Sequence, residues 1–403
     1  MPIFQPFDVL IPREEFLDRW PVIACDQFTS QPEYWQRQRE IVGDAPSALR
    51  CVLPEAELTS ADDQTYREIR RTMERYLAEG VFAGYAQSFV YVERTLTDGT
   101  VRPGVVGVID LEAYDYGSDV VSAIRATERT VVERIPPRMR VRRGAALELS
   151  HVLLLCDDER RALIEPLRAE LASPLYDLQL PQDGGRLIGW LVNGAAARAF
   201  EERLADYCRR KEGELNGMLF AVGDGNHSLA TAKACYEELK KTSADAGAIA
   251  RARYAMAELE NIHDRSQRFA PIHRLVSGVD ASGLIAYLRE RCCAEGGYPV
   301  PWVSGQCEGV LLLNRELGVL PVGILQSALD DYLAAHPGEI DYIHGEDSLR
   351  TLAGRGDAVG FLLPAIPKDD FFRGIARDGV LPRKTFSMGE AREKRYYLEA
   401  RRL

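Results

Sequence analysis

The stretch Ala221–Ala234, AVGDGNHSLATAKA, decides how this chain is read. It grows out of an apolar run, GMLFAV, that ends at Val222, and it leads into SLATAKACYEEL, where Leu229, Ala232, Tyr236 and Leu239 share one helical face. The spacing predicts a strand, a tight turn and a helix. Gly223 and Gly225 give the turn its backbone freedom. The polar residues between and after them admit two readings. Asp224, Asn226 and Ser228 cap the helix, or the open N–H groups of its first turn face an anion, commonly a phosphate. The Lys-Ser/Thr pair of a Walker A loop is missing, so a phosphate here rests on backbone N–H groups and on His227 rather than on a lysine.

Outward from this turn, strand-like and helix-like segments alternate. HVLLLCDD reads as a buried strand, RRALIEPLRAEL as a helix, GRLIGWLV as a strand and ARAFEERLADYCRRKEG as a helix. That alternation predicts a mixed α/β (α+β) core with helices packed on a sheet. Further upstream, Tyr66, Ile69, Met73 and Leu77 mark a helix stopped at Gly80, and Asp98-Gly99 joins two β-rich runs as a hairpin. The first 58 residues read as strands and loops. We expect a main domain over residues 1–265 and a smaller C-terminal α/β region over 266–403.

With 403 residues, 46% of them hydrophobic, the chain has enough apolar material for two cores. Its formal net charge of -11 argues against wrapping nucleic acid or lying on an anionic membrane. The basic run RIPPRMRVRRG reads as a solvated loop or a local basic pocket. Eight cysteines without a CxxC pair indicate reduced thiols and no zinc site, and no apolar run reaches bilayer-spanning length. A soluble, cytoplasmic protein is expected, with homo-oligomerisation left open.

Three other stretches carry ionisable groups. AIRATERTVVER places Arg125, Glu128, Arg129, Thr130 and Glu133 together. It reads either as an exposed helix with i,i+4 pairs or as a carboxylate flanked by arginines, the combination that phosphoryl transfer uses. NIHDRSQRFAPIHR carries His263, Asp264, His273 and Arg274, and CDQFTS carries Asp26 in a polar loop that turn chemistry also explains.

Taken together, these stretches resemble the domain-of-unknown-function 1015 family over essentially the whole chain. The family loop Asp-Gly-His-His-Arg-Tyr-Glu-Thr-Ala is matched by Asp224 to Ala232. Its Pro-His-Glu-x-Thr segment is matched by Ala126 to Thr130, Pro-Thr-His-Arg by Pro271 to Arg274, and Met-Pro-x-Lys-Ser/Thr by Leu381 to Thr385. The loop and the Pro-His-Glu segment are also similar to those of the ParB and sulfiredoxin superfamily, which includes an archaeal kinase of free L-serine.

The resemblance implies a ParB/sulfiredoxin-like core and a nucleotide-dependent phosphotransferase acting on a small hydroxyl metabolite, serine or a related amino acid, with ATP or ADP and Mg²⁺. It implies Glu128 as the base, Asp224 as a metal or hydroxyl partner, and His227 with Gly223, Gly225, Asn226 and Ser228 as the phosphate cradle. Arg125, Arg129, Thr130, His273, Arg274 and Asp26 are then the substrate-binding candidates. The alternatives are a ParB-like nucleotide-binding regulator and a non-catalytic small-molecule-binding protein. This chain departs from the family at Ser228, where arginine is usual, and at Asn226 and Thr127, where histidine is usual.

Overall fold

The computed structural model describes residues 2–117, 121–355 and 357–403. The fold is mixed α/β, and the chain divides into two compact units. The first comprises Met1–Ala126, Thr130–Gln267 and Glu390–Leu403, and the second comprises Thr127–Arg129 and Arg268–Gly389.

Among the described residues of the first unit, thirteen strands form one sheet. Its central order is Ile124–Ala126, Phe220–Asp224, Leu153–Cys156, Tyr254–Asn261, Val101–Asp110, Phe82–Thr95 and Phe7–Pro12. Pairing is mostly antiparallel, because hairpins rather than crossover helices make several of the connections. The hairpin at Asp98-Gly99 is one of them, and Gly99 takes the left-handed φ of 82° that its turn requires. Parallel pairs occur where Phe220–Asp224 meets Ile124–Ala126 and where Tyr254–Asn261 meets Leu153–Cys156.

Both faces of this sheet are covered, as strand alternation demands. Val90, Val92, Val106 and Val108 point into one core with Trp20, Trp35 and Tyr76. Phe89, Tyr91, Val105 and Ile109 point into the other with Phe200, Phe220 and Leu229.

The helix Asp63–Ala78 follows its predicted spacing, with the Asp62 carboxylate capping Thr65 N–H at 2.8 Å. RRALIEPLRAEL gives only one turn, Leu167–Glu170. Asp158 takes the N–H groups of Ala162 and Leu163, and Pro166 has none to offer, so a longer helix loses its ladder. Conversely, PEYWQRQREIV is a helix, Pro32–Val42, where loop was expected, and it buries Tyr34, Trp35, Gln38 and Val42.

In the second unit, Cys307–Leu313, Cys293–Ser304, Ala358–Phe361, Phe269–Ser277 and Glu339–His344 lie side by side in a six-stranded sheet. The sixth strand, Phe386–Met388, pairs with the start of Phe269–Ser277. Helices Ala281–Cys292, Pro321–Ala335, Glu346–Ala353 and Lys368–Asp378 belong to the same unit. Among the described residues, no helix is long and apolar enough to cross a membrane.

Candidate functional site

The turn between Phe220–Asp224 and the helix Asn226–Thr242 is built by two irregularities. Pairing with Leu153–Cys156 slips between Val222 and Asp224, which places a bulge at Gly223. Gly225 then adopts φ 79° and ψ 25°, and a Cβ there would stand 3.0 Å from Val152 Cα. Only glycine meets both demands. The helix has no side-chain cap, because its N-cap residue is Gly225 itself, and the Asp224 carboxylate before it takes Gly225 N–H at 2.9 Å. The first-turn N–H groups of His227 and Ser228 are therefore left for something other than a cap. Gly225→Ala should cost about 1–2 kcal/mol from the left-handed backbone alone, measured by urea denaturation, and unchanged stability would contradict this turn geometry.

Side chains from four further segments gather here. Lys394 Nζ lies 3.2 Å from Asp224 Oδ2, and the two are both largely buried. Burial works against ionisation of Asp224. The Lys394 ammonium, the His151 ring and Gly225 N–H outweigh it and hold the carboxyl below its usual value. Ser228 Oγ lies 3.2 Å from His151 Nε2, and Asp26 Oδ2 lies 3.6 Å from the same nitrogen. Ser228, His151, Tyr397, Arg138 and Arg142 line a cavity of about 130 Å³ whose wall is otherwise largely apolar, with Leu53, Leu147 and Met256 among its residues. The two arginines are paired, Arg138 with Glu55 at 2.8 Å and Arg142 with Glu148 at 2.7 Å.

One ring nitrogen of His227 is already engaged. Val131 N–H donates to its Nε2 at 3.2 Å. Burial, then the Arg138 and Arg134 guanidinium groups, push its pKa below the ordinary histidine value. The ring is neutral at pH 7, and Nδ1–H is its remaining donor.

Arg125 is buried with Nε on Ser122 O at 3.0 Å and Nη2 on Asn216 O at 2.6 Å, so it ties backbone together. Residues 124–126 are a strand, which removes the i,i+4 helix reading of this stretch. Thr130 is buried, and its hydroxyl has no hydrogen-bond partner.

Glu128 and Arg129 belong to the second unit, where Thr127 O accepts Leu381 N–H at 2.8 Å and Glu128 bridges Leu381. Arg129 is exposed. Arg274 is fully buried, donating to Gln326 Oε1 at 2.7 Å, Ile272 O at 2.7 Å and Lys384 O at 3.0 Å. Burial pulls its pKa down to about 10 against the opposing pull of Tyr342 and Glu128. His273 gives its Nδ1 to Leu363 N–H at 3.1 Å and is buried. The second unit thus brings Glu128, Arg274 and Lys384 together, three segments far apart in the chain.

Over residues 4–340 the chain matches the family described as protein of unknown function (DUF1015). It belongs to that family. Solved structures similar to this DUF1015 protein include a mutant free serine kinase in complex with ADP, at 12% identity and TM-score 0.38, covering 72% of this chain and 90% of that one. A conserved hypothetical protein from Pyrococcus furiosus is similar at 13% identity and TM-score 0.34, covering 73% and 94%. SbnI with a C-terminal truncation, from Staphylococcus aureus, is similar at 10% identity and TM-score 0.36, covering 70% and 83%. No curated protein sequence matches the DUF1015 chain.

The DUF1015 resemblance implies Mg²⁺ at Asp224, and the residues present do not fit it. One carboxylate oxygen holds Gly225 N–H and the other faces the Lys394 ammonium, so positive charge is already in place. Mg²⁺ asks for accessible oxygens in octahedral array. Elsewhere in the first unit, Asp157, Glu159 and His263 bring ligand atoms within 4.8 Å of one another, with Asp157 engaged by Lys211 at 2.8 Å and by His263 Nε2 at 2.7 Å.

Sequence reasoning missed Lys394, Tyr397 and His151. His151 precedes an apolar run without further signal. Lys394 and Tyr397 come from the last segment, which returns to the first unit.

Proposed function

We propose that the protein is a nucleotide-dependent phosphotransferase that moves a phosphoryl group onto a hydroxyl of a small metabolite, serine or a related amino acid being the acceptor class. The first unit is read as a ParB/sulfiredoxin-like core. The observation that carries the reading is the uncapped helix start after Gly225, whose first-turn N–H groups stand beside Ser228, His151 and a cavity. A helix end of this kind favours phosphate through its N–H groups and its dipole.

Phosphoryl transfer asks a protein chiefly for positioning and for charge stabilisation. The loop from Gly223 through Gly225 and Asn226 to Ser228 takes the phosphates through the first-turn N–H groups of His227 and Ser228, Gly225 N–H being held by Asp224, with Nδ1–H of His227 as a further donor. Lys394 supplies a cation at Asp224. By the family resemblance, Glu128 takes the acceptor's hydroxyl proton, and Arg129 and Arg274 serve the acceptor's carboxylate. Arg125 and His273 spend their hydrogen-bonding groups on backbone and are left out of the site. Ser228 in place of arginine favours a second reading, a nucleotide-binding protein without transfer, because it removes a bidentate phosphate contact.

Titration calorimetry with ATP and with ADP tests the cradle. His227→Ala should weaken the tighter of the two by about 1–3 kcal/mol, roughly 5- to 150-fold in Kd. Undiminished binding in that variant removes His227 from the cradle, and no binding to the wild-type chain rejects the proposal.

A further inference from the structure

Where the family loop has arginine, this chain has a hydroxyl with a base beside it. Ser228 Oγ is 3.2 Å from His151 Nε2, and His151 is only 3% exposed. The other ring nitrogen, Nδ1, lies 2.7 Å from the Tyr397 hydroxyl. That hydroxyl donates to Cys25 Sγ at 3.0 Å and accepts Cys25 N–H at 3.2 Å. With its one proton directed to sulfur, the phenol accepts from His151, so Nδ1 carries the imidazole proton. Nε2 then presents a lone pair to Ser228 Oγ–H, the relation of a general base to its nucleophile.

The surroundings suit what such a pair does. Asp26 Oδ2 stands 3.6 Å from Nε2, and Asp224 is an ionised neighbour of the ring, so carboxylates border the histidine that takes the serine proton. Ser228 also sits in the first turn of the helix Asn226–Thr242, where a phosphate group bonded to a side chain is favoured by the helix end. It lines the cavity, so a ligand can reach it.

We infer that Ser228 is the first acceptor of the phosphoryl group, with His151 as its general base and Tyr397 as the positioning residue that fixes the His151 tautomer. This rests on the nucleotide reading above and adds a covalent intermediate to it. Ser228 Oγ bonds to the terminal phosphorus of the nucleotide as the bond from that phosphorus to its bridging oxygen breaks. The electron pair leaves with the shortened nucleotide, and the Oγ proton passes to His151 Nε2. In the second half, the metabolite hydroxyl attacks the phosphorus and gives its proton to the base assigned to it above, Glu128. Ser228 Oγ departs with the P–O electron pair and recovers its proton from His151.

The test incubates the full chain with ATP or ADP labelled in its terminal phosphate, with Mg²⁺ as counter-ion and no acceptor, followed by acid quenching and peptide mapping. Label should appear on Ser228 within the tryptic peptide Glu212–Lys233. It should vanish in Ser228→Ala and form at least about 10²-fold more slowly in His151→Asn, whose amide keeps the Tyr397 contact but offers no base. Far-UV circular dichroism checks that both variants fold. A wild-type chain that binds nucleotide by calorimetry yet takes no label overturns the covalent step and leaves the nucleotide reading standing. Absence of binding overturns both. Label that persists in Ser228→Ala, or forms at the wild-type rate in His151→Asn, overturns the inference.

Discussion

Glu128→Gln should lower turnover about 10²- to 10⁴-fold and leave nucleotide affinity nearly unchanged. A hydroxyl is a poor nucleophile at neutral pH, and the carboxylate assigned to its proton is the group whose loss costs chemistry rather than binding. Glutamine keeps the size and the hydrogen-bonding capacity of Glu128, so the Leu381 bridge and the Thr127–Leu381 bond survive the change. The expected loss corresponds to about 3–5 kcal/mol of transition-state stabilisation. Steady-state kinetics paired with calorimetry read it. Full activity in the variant would defeat the role of Glu128 and favour the nucleotide-binding reading without transfer.

Arg395→Met should cost about 3–5 kcal/mol of stability at pH 7, because it strips the partner from buried carboxylates. Arg395 is buried with Nε on Glu258 Oε2 at 2.7 Å and Nη2 on Glu399 Oε2 at 2.7 Å, and it also donates to Ser150 O beside His151. Nearby Glu260 is already pushed up to about 7 by burial and by Glu258, against the pull of Arg102. Removing Arg395 leaves the Glu258 and Glu399 carboxylates buried without their partner. A deficit caused by unpaired buried charge is small below about pH 4, where carboxylates are largely protonated, and grows as pH rises toward 7. Guanidinium denaturation at pH 4 and pH 7 measures this. An equal deficit at both values would show that lost packing, not unpaired charge, is responsible.

Local pattern carried much of the fold. The Asp98-Gly99 hairpin, the helix capped by Asp62 and the turn at Gly225 all follow from short-range chemistry that acts over a few residues. Failures came where distant contacts overrule local preference. Pro32–Val42 is helical because Tyr34, Trp35, Gln38 and Val42 find a core to enter, which its proline-flanked polar sequence does not announce. Leu163, Ile164 and Leu167 are buried without a long helix because Asp158 captures the backbone they would need.

The candidate site divides in the same way. Asp224, Gly225 and Ser228 are contiguous and legible as a loop. Lys394, Arg395 and Tyr397 reach it from a segment more than 160 residues later, and no spacing rule connects them. Only the sheet does, through Ala400 beside Leu10 and Leu149.

The most direct measurement incubates the full-length protein with ATP or ADP, Mg²⁺ and a pool of hydroxyl metabolites, and follows the mixture by mass spectrometry. The account predicts one phosphorylated hydroxyl metabolite, formed in step with loss of the nucleotide's terminal phosphate. A nucleotide left intact, with no phosphorylated product in the pool, would contradict it.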